Sequence, residues 1–334
     1  MGLDRLQRDT LVWAGLAVVL AGWDGSVLVL ELPAVAQSFG ARVADISNLG
    51  SIVIFGAVGA LPLATLADHF GRRRLIAVGV ALFSLVNFAT AFAPSLLALA
   101  AVRLTASCFE NLVLGVVTAL VVEEAPTARR GQAVSALALL FGLGQGIPVL
   151  IYPLVAPNWR VLFLAGGIGV LAAPLIWRRL PEGRAWQRAH VSGSTMRLLA
   201  QSPWRRRVLI LAASVMVGTV LGEPAGLFFT VYASQTLHLS PFVISAMIVA
   251  AAVCALVGYV AGGYLSDRYG RRILGAGLGA VTAVFTGGGF ISGAGALSPV
   301  LGLGRSLAVL AAAGVLSAAL LLLLPETRGR PLPD

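Results

Sequence analysis

The chain has 334 residues, of which 58% are hydrophobic and only 11% are charged. A soluble globular domain carries roughly 25% charged residues, so this composition excludes an ordinary soluble enzyme. With a mean hydropathy of +0.91 there is no polar shell for such a chain, and the bilayer has to be its solvent.

The net charge of +10 does not indicate nucleic acid, because the positive residues are scattered between apolar runs instead of gathered on one face. All 24 basic residues are Arg. Cys108 and Cys254 lie inside apolar stretches and read as small buried hydrophobes, not as a disulfide.

Apolar runs long enough to span occur at about residues 11–32, 48–67, 75–93, 95–120, 132–154, 160–177, 208–232, 242–264, 274–294 and 302–324, ten in all. The first follows Arg5 and Arg8 and precedes Ala34-Val35-Ala36, which would suit a cleaved signal peptide. Its length and its internal Asp24 make it instead a first membrane helix.

Short cytoplasmic loops collect positive charge, and an N-terminus placed inside puts 20 of the 24 Arg on that side. Both ends are then cytoplasmic, and a plasma (inner) membrane is expected. Residues 178–207 hold eight Arg and form the longest polar stretch, a linker suited to anionic headgroups. The expected fold is all-α and polytopic: a six-helix bundle at 1–177, a cytoplasmic linker at 178–207 and a four-helix bundle at 208–334.

Between the second and third runs stands Leu66-Ala67-Asp68-His69-Phe70-Gly71-Arg72-Arg73-Arg74, and between the eighth and ninth stands Gly263-Tyr264-Leu265-Ser266-Asp267-Arg268-Tyr269-Gly270-Arg271-Arg272. An Asp, a Gly three residues later and then an Arg cluster recur in the same loop of each half, the mark of an internal repeat. The Gly allows a tight turn, the Asp can accept from a positive helix N-terminus, and the Arg hold the loop at the cytoplasmic face. Two hairpins stapled by charge would explain the Arg but not the matched Asp and Gly.

With these repeats the sequence resembles the major facilitator superfamily, and within it the sugar porters and related metabolite:proton symporters. Glu123-Glu124-Ala125-Pro126 followed by Arg130-Gly131, Trp159-Arg160, Pro181-Glu182-Gly183-Arg184 and Pro325-Glu326-Thr327-Arg328-Gly329-Arg330 extend the resemblance over nearly the whole chain. It implies two bundles rocking about a central substrate site, with Asp68, Gly71, Arg72, Glu123, Arg130, Asp267, Gly270 and Arg271 in the loops that gate the motion.

The halves differ in length. Asp68 to Glu182 spans 114 residues and Asp267 to Glu326 only 59, a deficit of 55, or about two helices with their loops. By comparison with the family, the tenth and eleventh helices are missing and the join falls near residues 290–300. Asp68 would then lack the eleventh-helix partner it has in the family.

A charge at the bilayer centre costs roughly 2.5 to 3.5 kcal/mol on insertion scales, so each one needs a partner or a wet cavity. Four stand out: Asp24, Arg103, Glu110 and Glu223. By helical rise Asp24, Arg103 and Glu223 share one layer, and Glu110 lies two turns along from Arg103 on the same face. One reading has Asp24 taking up and releasing a proton while Arg103 modulates it; the other has a fixed ion pair joining helices one and four. Gly22-Trp23-Asp24 is similar to the first-helix Gly-Tyr-Asp of proton-coupled sugar porters, and Arg103 to their fourth-helix Arg, which favours the first reading.

The family's seventh-helix sugar-binding motif is absent, the stretch reading Gly222-Glu223-Pro224-Ala225-Gly226, and a hexose is disfavoured. Three carboxylates against one Arg would suit a cationic substrate unless protonation removes the preference. Glu110, Glu223, Gln145 and Asn87 are the substrate-cavity candidates, the last two doubling as helix-packing glue. Gly142, Gly144, Gly146 and Pro148 are similar to a drug-antiporter element displaced by one position, and close helix packing explains them as well.

No metal or catalytic constellation emerges, and no cofactor or enzymatic activity is expected. The sequence thus points to a monomeric secondary transporter of a small polar metabolite, an organic acid, organic cation or sugar-like solute, coupled to protons by symport. Export by proton antiport and a truncated, non-transporting relic or sensor are the alternatives.

Overall fold

From Arg8 to Phe39 the chain forms an unbroken apolar helix of 32 residues. At about 1.5 Å per residue it is longer than a hydrocarbon core of about 30 Å. The structure, a computed structural model, describes residues 5–126, 129–183 and 229–270, with 205–206, 209–210, 212–213 and 277. Among these the elements are all helical.

The first helix, α1 (Arg5–Phe39), ends at Gly40, whose φ of 60° stops it. The second apolar run becomes three short helices, α2 (Val43–Ile54), α3 (Gly56–Ala64) and α4 (Leu66–Phe70), interrupted at Phe55 and Thr65. Asp45 accepts a hydrogen bond from the backbone N–H of Arg42 at 2.9 Å. That bond, with the Arg42 side chain, holds the Asp45 carboxyl below its usual range.

Then follow α5 (Arg72–Thr90), α6 (Leu96–Glu124) and α7 (Arg130–Val155). The sixth span is composite: α8 (Arg160–Gly166), a 3-10 stretch at Gly167–Leu171 and α9 (Ala172–Arg179). The last described helix is α10 (Pro241–Tyr269). Among the described residues six stretches, 8–39, 72–90, 96–124, 130–155, 160–179 and 241–262, are long and apolar enough to cross a membrane. The spans expected at 274–294 and 302–324, most of the one at 208–232, and the linker beyond 183 apart from 205–206 fall outside the described residues.

Two compact units are distinguished, residues 1–192 with 239–260, and residues 193–238 with 261–334. In the first, α1 packs on α7, α5 on α6, and α3 on α6. Ala14, Ala17, Val18, Ile76, Val80, Val113, Val117 and Ile176 contribute to its buried core. Large apolar side chains such as Leu97 and Leu154 point outward, as a lipid-facing surface requires. The described part of the second unit includes a π-helical turn at Tyr232–Thr236 and the C-terminal end of α10.

Between helices in lipid the hydrophobic effect gives little, so association relies on close approach and interhelical hydrogen bonds. Both occur on α7. A Cβ on Gly144 would land on the Val19 carbonyl of α1, and one on Gly22 would land on the Phe141 carbonyl of α7. Pro153 has no N–H to offer the Val149 carbonyl one turn back. Ser245 of α10 supplies the missing donor, its hydroxyl lying 2.8 Å from that oxygen.

Gly144→Ala is expected to destabilise the first unit by about 1 to 3 kcal/mol through overpacking. Gly146→Ala, where a Cβ meets nothing within 4 Å, should leave the thermal midpoint unchanged. Thermal unfolding of the two variants in detergent, side by side, checks this.

Candidate functional site

Asp24 sits halfway along α1, and Arg103 points at it from α6. Both are buried, at 0% and 1% exposure. One guanidinium nitrogen of Arg103 lies 2.8 Å from Asp24 Oδ1 and the other 3.2 Å from Oδ2, a two-pronged pair. The second nitrogen also donates to the Asp24 carbonyl at 3.3 Å, and the first to Asn87 Oδ1 at 3.2 Å. The Phe163 ring closes the site, its centroid 5.6 Å from Arg103 Cζ.

Local structure fixes each member. Ser95 caps α6, its hydroxyl accepting from the Ala98 N–H at 3.2 Å, and so sets the register that carries Arg103 inward. Trp23, beside Asp24, donates from its indole to the Leu162 carbonyl of α8 at 3.3 Å. Gly166 leaves room for both the Trp23 ring and the Asn87 amide. Together α1, α5, α6 and α8 form a polar knot inside an apolar bundle.

Of the candidates from the sequence, Asp24, Arg103 and Asn87 come together directly. Glu110 is buried two turns along α6, acts electrostatically on Arg103, and presses its carboxylate against Gly25 of α1. Gln145 on α7 is half-buried, and its backbone nitrogen packs at Gly22. Glu223 lies outside the described residues.

One buried carboxylate escaped the sequence reading. Glu31 is 0% exposed. A first span ending at residue 32 puts it at the membrane boundary, but α1 continues through Pro33 to Phe39 and encloses it. Its spacing of seven residues from Asp24, two turns on the same face, is the signal that would have found it.

A second cluster joins the loops at the Arg-rich end. Gly71, with φ 86°, turns the chain from α4 into α5, a conformation that favours glycine. Gly270 makes the matching turn after α10 with φ 101°. The acceptor at the N-terminus of α5 is Glu182, whose Oε1 takes the N–H groups of Arg72 at 2.8 Å and Arg73 at 3.2 Å. Arg72 forms an ion pair with Glu123, and Arg130 donates to the Val122 carbonyl in the last turn of α6 at 3.2 Å. Asp68 lies in α4 and Asp267 in the last turn of α10. Arg271 is outside the described residues.

Comparison with known proteins gives one consistent answer. The family model described as Major Facilitator Superfamily matches residues 14–330. The chain is 30% identical over 235 residues to a gallate transporter of Pseudomonas putida, covering 69% of this chain and 49% of that protein, so it spans about half that relative's length. It is 26% identical to the cis,cis-muconate transport protein of Acinetobacter baylyi, covering 83% of this chain and 70% of that protein. Its fold is similar to the crystal structure of a D-xylose-proton symporter, with a TM-score of 0.64, 18% identity, and coverage of 95% of this chain and 80% of that one.

Two outcomes are expected from the geometry. Asp24→Ala strands the Arg103 charge and should cost about 3 kcal/mol or more, while Asp24→Ala with Arg103→Leu recovers most of the loss; thermal midpoints in detergent measure both. Glu182→Ala removes the acceptor at the start of α5 and should cost about 1 kcal/mol. Faster hydrogen exchange confined to the first turn of α5 reports that second change.

Proposed function

The chain belongs to the major facilitator superfamily, and from that premise we propose that it moves a small organic acid across the inner membrane together with protons. The chain is a membrane-embedded transport protein rather than an enzyme. What carries the finer reading is the buried Asp24–Arg103–Asn87 knot.

Asp24 and Arg103 offset each other's burial as a pair. When a substrate carboxylate or a rotation of α6 draws Arg103 away, Asp24 faces a low-dielectric site alone and takes up a proton. Proton binding and helix movement are then two descriptions of one event. Release of the proton accompanies return of Arg103.

The substrate class is supported by the relatives, whose names specify gallate and cis,cis-muconate. Both are carboxylates, and Arg103 is the cation in this chain's buried knot that could receive one. Asn87 and Glu110 adjoin that position and Gln145 is a further candidate for the cavity; Glu223, a candidate from the sequence, lies outside the described residues. The loops holding Asp68, Gly71, Arg72, Glu123 and Arg130, with Asp267, Gly270 and Arg271 in the second half, gate the rocking of a six-helix bundle at 1–177 against a four-helix bundle at 208–334. Both termini are cytoplasmic in this scheme, residues 178–207 lie at the inner leaflet, and the transporter works as a monomer.

The test is uptake of radiolabelled gallate and cis,cis-muconate into proteoliposomes under an imposed pH gradient. Wild type should accumulate at least one of them. Asp24→Asn should lose accumulation against the gradient while retaining exchange of labelled for unlabelled substrate. Accumulation unchanged in Asp24→Asn would sink the coupling role.

A further inference from the structure

Glu31 has no place in the scheme above. Its side chain is fully buried, and neither carboxylate oxygen has a hydrogen-bond partner. It lies about 10 Å along α1 from Asp24, at 1.5 Å per residue. Asp24 stands at the middle of the apolar stretch 8–39. With a hydrocarbon half-thickness of about 15 Å, Glu31 is therefore inside the membrane and not at its edge.

Among the described residues the surroundings offer no counter-charge. From α7 the Tyr152 hydroxyl is close enough to act on Glu31 electrostatically, but it makes no hydrogen bond to it. On α6, Arg103 is committed to Asp24 and Asn87, and the acidic groups acting on it are Asp24 and Glu110. The charged groups of α5 lie in its first turn, Arg72 to Arg74, and those of α9 in its last, Arg178 and Arg179. On α8, Arg160 donates to the Ala91 carbonyl at 3.0 Å and stacks over Trp159 at 4.3 Å. An ionised carboxylate with neither donor nor cation costs several kcal/mol in such a place, whereas the neutral acid costs far less.

We propose that Glu31 is a second proton-binding carboxylate, distinct from Asp24 and placed two turns beyond it. In the enclosed conformation it is a neutral acid. When water reaches it the O–H bond breaks, the proton passes to that water, and the carboxylate remains; rebinding reverses the step. Asp24 and Glu31 thus differ in kind, since Asp24 is paired to a guanidinium and Glu31 meets neither cation nor donor among the described residues. Participation of Glu31 in coupled transport rests on the transport reading, but its proton binding does not.

Infrared spectroscopy of the purified, lipid-reconstituted protein tests this without any substrate. Wild type at neutral pH should show the C=O stretching band of a protonated carboxylic acid, lost reversibly at alkaline pH. Glu31→Gln, which keeps the shape of the neutral acid, should lose that band and release one proton fewer in an indicator-dye titration. Asp24→Asn should keep the band, and Glu31→Asp should shift it. Absence of the band from wild type, or its survival in Glu31→Gln, overturns the proposal. Either result leaves the gallate and muconate assay untouched, so the two readings fail independently.

Discussion

Arg103 can occupy the interior of the bundle because Asp24 gives it both carboxylate oxygens and a carbonyl, and Asn87 gives it a third side-chain acceptor. A guanidinium cannot lose its charge in a protein, so its burial dictates what must surround it. Asp24 has to stand at that level of α1, Asn87 at that level of α5, and Gly166 has to be small enough to let them meet. Four elements are thereby held in register by one side chain. The same requirement makes the site responsive, for anything that draws Arg103 away alters the electrostatics of Asp24 at once.

The Arg-rich end is organised differently. There the charges are half-buried and the ties are peripheral: an ion pair of Arg72 with Glu123, a carboxylate over the first amides of α5, and a guanidinium on the Val122 carbonyl in the last turn of α6. Such contacts are individually modest and exchange readily with water. The deep pair is costly to break, whereas the shallow ties are not.

Much of this was legible in the sequence because two signals are robust. Apolar run length located the six spans found among the described residues, and depth counted along a helix put Asp24 and Arg103 in one layer. The repeat of Asp, Gly and Arg in two loops anticipated the matched turns at Gly71 and Gly270, whose φ values of 86° and 101° explain the glycines. Residues whose roles depend on distant contacts were less legible. Glu182 meets α5 across 110 residues of chain, a distance no local spacing encodes. Glu31 was hidden by a boundary set seven residues short of the end of α1. Asn87 looked like packing material because an amide announces neither charge nor partner. The breaks at Phe55 and Thr65 lie beside Gly56, Gly59 and Pro62, residues of poor helical propensity that the length of the apolar run masked.

The contact between α1 and α7 has a mechanical consequence. Gly22 and Gly144 bring backbone against backbone, and at those two levels no side chain lies between the helices. At those levels they fit as tongue and groove, and sliding one past the other would drive main chain into main chain. The Asp24–Arg103 pair joins α1 to α6 through side chains instead, so the two sides of α1 differ in how much give they have.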